Sequence, residues 1–105
     1  MTAIKKITGL NALVLDLEGL PVHDERGVAL LAKHVISGAL GRGRSDDPVR
    51  AINLALQIRN AGDECILSDD ELESAKKAVL FDREWPDLLR AAGLRCLETA
   101  KDFVV

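Results

Sequence analysis

Asp16, Glu18, Asp24 and Glu25 crowd one short stretch of the chain, and acidic oxygens at that density could wrap a calcium ion. A helix–loop–helix calcium site, however, places its acids at alternating positions with a glutamate at the twelfth. Counted from Asp16, the twelfth residue is Gly27, so the pattern fails. The spacing predicts instead a solvated acidic edge, which also discourages edge-to-edge strand pairing. His23, His34, Cys65 and Cys96 are of zinc-ligand type, but they are scattered along the chain with no compact ligand pair. The two cysteines form no C-x-x-C unit and are read as reduced core residues, because a free thiol buries readily. Ser45, Ser68 and Ser74 have no histidine or acid at a suggestive spacing. Gly41-x-Gly43 lacks the further glycine and the Lys-Ser/Thr of a phosphate loop. No catalytic residue, metal site or cofactor is predicted.

Arg42, Arg44 and Arg50 form the one basic cluster. Guanidinium groups at a loop and helix start suit phosphate contact, so these three are the candidate nucleic-acid contacts. Asp46 and Asp47 sit between them and cancel much of their field. The formal net charge of −3 and pI of about 5.3 argue against a sequence-independent nucleic-acid binder, which needs a basic face to release counterions. The candidate protein-contact residues are of another kind. Trp85 is the single tryptophan, and tryptophan is enriched at interface hot spots; its competing role is a staple at a helix start. Leu54 and Ile58 lie on a helix that is apolar over more than half its circumference. Phe103, Val104 and Val105 end the chain as an apolar, uncapped run.

The elements that must position these residues follow from patterning. In 105 residues, 48% hydrophobic and only 3% aromatic, there is material for one domain with a Leu, Val, Ile and Ala core. No apolar stretch approaches the ~20 residues that span a bilayer. Lys5 and Lys6 precede an apolar run, but Asn11, Asp16 and Glu18 interrupt it, so no signal peptide is read and a cytoplasmic location is expected. Residues 1–9 carry few ordering signals and are expected to be a mobile arm. Leu10 to Leu17 favours a strand covered on both faces. Glu18-Gly19 marks a turn, and Pro21 places the return strand at an edge.

Val28 to Leu40 reads as the first helix. Asp47 is the expected N-cap of the second, with Pro48 at its first position. Because that helix is apolar over more than half its circumference, it should be central or have a partner. Glu64 to Leu67 reads as a third strand pairing with the N-terminal hairpin. Ser68 and Glu71 have the spacing of a capping box opening a helix from Asp69 to about Phe81. Trp85-Pro86 opens the fourth helix, and residues 101–105 are a tail. The expected fold class is α+β: a small N-terminal β-hairpin and a third short strand packed with four helices, in the order β-β-α-α-β-α-α. No internal repeat is apparent.

Two resemblances bear on function. Leu15-Asp16-Leu17-Glu18-Gly19 is similar to the nucleophile motif of haloacid-dehalogenase-type phosphatases, which would make Asp16 a nucleophile and Glu18 its acid. Those enzymes have a second aspartate where Glu18 stands, and need a doubly wound parallel sheet too large for this chain, so no enzyme is expected. Leu15-Asp16-Leu17-Glu18-Gly19-Leu20-Pro21-Val22, Ala51 to Ile58, and Ile66-Leu67-Ser68-Asp69-Asp70-Glu71 together resemble small proteins encoded near tail and head genes of tailed bacteriophages and prophages. That resemblance implies a non-enzymatic protein that works by binding other proteins, in phage assembly. The expected function is thus a protein–protein interaction domain, with a protein partner or a second copy of itself and no membrane association. The alternative is a nucleic-acid-associated regulator using Arg42, Arg44 and Arg50.

Overall fold

In the computed structural model, which describes residues 4–103, a three-stranded antiparallel sheet packs with four helices, as the α+β class requires. The elements are β1 (Ile4–Ile7), α1 (Ala32–Arg42), α2 (Pro48–Asn60), β2 (Cys65–Ser68), α3 (Asp69–Phe81), α4 (Asp87–Leu97) and β3 (Lys101–Asp102). Their order, β-α-α-β-α-α-β, differs from the expected one because the sheet is built from other residues. Ile4–Ile7 is the central strand, flanked by β2 and β3, where a mobile arm was expected over residues 1–9. Lys5-Lys6 hides the strand from a hydrophobicity scan, yet both lysines suit it. Lys5 pairs across the ladder with Asp102, and Lys6 reaches Glu64 at 3.0 Å. Ile7, opposite Cys65, is fully buried. The expected tail contributes β3, and the Phe103 N–H donates to the Ile4 carbonyl at 3.0 Å. Val104 and Val105 lie outside the described residues.

The hairpin expected at Leu13–Val22 does turn back on itself, but outside the sheet and as half of a repeated unit. Asp16 Oδ1 accepts the N–H groups of Glu18 and Leu20, both at 2.9 Å. Asp24 Oδ1 accepts those of Arg26 and Val28 at 2.8 and 3.0 Å. The Val28 amide foremost, then that of Arg26, holds the Asp24 carboxyl below the ordinary aspartate value against its partial desolvation. Each Asp-x-x-Gly turn closes through a glycine at positive φ, +82° at Gly19 and +80° at Gly27, where a side chain would be strained. The segments so joined close a ring: the Val14 N–H donates to Leu30, Leu30 to Val22 and Val22 to Val14, at 2.8–2.9 Å. Each segment thus satisfies its inner backbone groups on the other two. Val14 and Leu30 are buried inside the ring with Val35 and Leu89, while Leu13, Leu15, Leu17 and Leu20 stand exposed. No internal repeat was expected, yet each turn follows the same short pattern, a valine two residues before the Asp and apolar residues one and three after the Gly, in Val14 to Val22 and in Val22 to Leu30.

This ring also explains why the first helix starts at Ala32 rather than Val28: Leu30 and Leu31 are already paired with Val22 and Leu13. At the helix start the Leu31 N–H donates to His34 Nδ1 at 3.1 Å, which requires a neutral imidazole. Burial, then the Arg59 and Lys33 cations, lower the His34 pKa, with Asp24 acting in the opposite sense. A pKa lowered by folding gives stability that is full above the ordinary histidine value and lost as pH falls through the lowered one. His34→Gln keeps an acceptor that does not titrate. It is expected to flatten the fall in stability between about pH 7 and pH 5, a change on the order of 1 kcal/mol or less, the worth of a helix-start hydrogen bond. Urea midpoints at the two pH values measure it, and an unchanged pH slope would sink the assignment.

α1 is the central helix: it packs on α2, α3 and α4. Val35, Ile36 and Ala39 are fully buried and Leu40 nearly so. α2 instead packs chiefly on α1, so it is not central, which was the first of the two alternatives its apolar surface left open.

Candidate functional site

The sequence candidates separate once folded. Leu54 and Ile58 are 4% and 0% exposed, inside the core that Ile36 and Leu40 share; neither can meet a partner. Trp85 is half-buried as a brace between the two apolar clusters. Its Nε1–H donates to the Val35 carbonyl at 3.0 Å. Its ring lies where a Cβ on Gly38 would be 3.1 Å away, and the Arg42 guanidinium stacks 4.5 Å from its centroid. These contacts suit the staple role, which competed with the candidate interface role for Trp85. Phe103 is partly buried beside β1.

Arg42 is committed as well. It forms a two-point ion pair with Asp82, at 3.1 and 3.0 Å. Asp82 Oδ2 also accepts the amides of Trp85 and Glu84, at 2.7 and 3.1 Å. Burial pushes the Asp82 pKa upward, but the Arg42 guanidinium and those amides outweigh it and hold the carboxyl below the ordinary value. Arg44 and Arg50 do remain exposed and make no ion pair among the described residues. They border an open groove of about 1050 Å³ between the α1–α2 loop and α3. Its cations, Arg42, Arg44, Arg50, Lys77 and Arg83, are matched by Asp46, Asp47, Glu71, Asp82 and Glu84. A groove so balanced has no net field to gather phosphates.

The chemistry-bearing residues are engaged structurally. Asp16 makes its turn, and Ser68 accepts the Glu71 N–H while Glu71 accepts that of Ser68, at 3.1 and 2.9 Å. Burial, followed by the charge of Asp63, raises the Cys96 thiol to about 11, and burial raises that of Cys65, so neither offers a thiolate at neutral pH. Among the described residues no three His, Cys, Asp or Glu side chains group as a metal would need, and no helix is long and apolar enough to cross a membrane.

What stands free is a face of α2 that the sequence candidates missed. The helix carries two apolar stripes at helical spacing. Ala51, Leu54, Ala55 and Ile58 face α1 and are buried or nearly so. Val49, Ile52 and Leu56, at i, i+3 and i+7, form the other stripe, and they are 71%, 44% and 50% exposed. Because side chains advance about 100° per residue, this second stripe lies well over a third of a turn from the first. Asn53 and Asn60 flank it on one side and Arg59 on the other, all exposed. The α2 start is firm, with Asp47 Oδ1 accepting the Arg50 N–H at 3.0 Å and Pro48 at the first position. At its other end Lys33 donates to the Ala61 carbonyl at 2.9 Å. The stripe is thus held on a helix anchored at both ends. The signal was present as 49/52/56 spacing, but it competed with a second set of equal periodicity.

Comparison with known proteins finds no family model, no curated protein and no solved structure that matches the chain.

Proposed function

We propose that the chain is a non-enzymatic protein–protein interaction domain whose docking surface is the outer stripe of α2. The observation that carries this reading is the exposure of Val49, Ile52 and Leu56 on an anchored helix whose opposite stripe already packs on α1. An amphipathic helix needs one apolar stripe to fold; a second one, left in water, costs solubility and is retained where it meets a partner. The engaged state of Asp16, Ser68, Cys65 and Cys96 supports a role other than catalysis. The resemblance to small phage and prophage proteins supports a role in particle assembly, where binding surfaces rather than reactions are needed.

A photo-crosslinking residue at position 52 tests the reading against the same residue at position 73, on the exposed flank of α3. In an extract of cells encoding the protein, position 52 is expected to yield one discrete adduct, either with this chain itself or with one other protein, absent at position 73. Adducts of equal pattern from both positions, or none from position 52, would remove the α2 stripe as the docking surface.

A further inference from the structure

We draw no further inference here: the strongest candidate, the exposed leucine patch of Leu15, Leu17 and Leu20 on the first Asp-x-x-Gly turn, is an unpartnered apolar face, and nothing in the structure shows what covers it.

Discussion

Replacing Trp85 by alanine is expected to destabilise the fold by about 3 kcal/mol, the lower end of the range for truncating a large aromatic side chain, because the indole is only half-buried. The expectation rests on position more than on area. Trp85 touches both the main apolar cluster and the smaller one that holds the 14–30 ring. It also ends the short segment between α3 and α4, pinned by Asp82 through its own N–H and by the Val35 carbonyl through Nε1. Removing the ring leaves Gly38 facing a void and takes from Arg42 the aromatic surface on which it stacks. A domain of this size has a stability on the order of 5–15 kcal/mol, so the loss lowers the melting temperature by roughly 15 °C. Trp85→Phe separates the contributions: it keeps most of the packing and gives up the indole hydrogen bond, a loss of about 1 kcal/mol plus the smaller ring. Urea unfolding of the three proteins measures both steps. A Trp85→Ala loss below about 1 kcal/mol, the worth of that single bond, would mean that the indole is not the brace between the clusters.

Gly93→Val is expected to be at least as damaging, for the opposite reason. Gly93 is buried where α4 meets α1 and α3. A Cβ there would lie 3.1 Å from Val35 Cγ1, 3.4 Å from Val79 Cγ1 and 3.5 Å from Ile36 Cγ1. Alanine asks Val35 to yield by a few tenths of an ångström, while its better helix propensity returns about 1 kcal/mol, so Gly93→Ala should stay within roughly 1 kcal/mol of the parent. Valine adds two further carbons into space held by Val35, Val79 and Ile36, all fully buried. Overpacking of that kind costs about 3 kcal/mol or more when the neighbours cannot turn away. Thermal melts followed by circular dichroism distinguish the two. A Gly93→Val protein melting within about 4 °C of the parent, the shift from 1 kcal/mol, would show that α4 can slide outward. The same close approach accounts for a glycine that, by propensity alone, weakens the fourth helix.

These two residues show where local signals stop. The capping box at Ser68 and Glu71, and the Asp47-Pro48 helix start, were legible because they join groups three residues apart, or adjacent, and depend on nothing else in the chain. The α2 and α3 helices accordingly occupy the stretches their patterns predict. The strand at Ile4–Ile7 was not legible. Its lysines are explained only by Glu64 and Asp102, which the fold brings from far along the chain. The first helix starts later than its apolar pattern predicts, because Val28 to Leu31 continue that pattern while the backbone groups of Val28 are taken by Asp24 and those of Leu30 by Val14 and Val22. The ring could have been suspected from Asp16-x-x-Gly19 and Asp24-x-x-Gly27, but its closure through Leu30 is a tertiary event.

The candidate surface divides in the same way. By itself the sequence determined that the chain forms an α+β domain with four helices, and that α2 has more apolar surface than one packing contact can use. Which of its two stripes faces inward was decided only by the tertiary structure. Ala51, Leu54, Ala55 and Ile58 and the set Val49, Ile52 and Leu56 satisfy the 3.6-residue period equally well. Periodicity records that a face is apolar and carries no information about what lies against it. The choice falls to α1. The short side chains of Ala51 and Ala55 let it come close, and the core around Ile36 and Leu40 takes in Leu54 and Ile58. Val49, Ile52 and Leu56 are left on the outside of a helix, where the other described residues do not cover them.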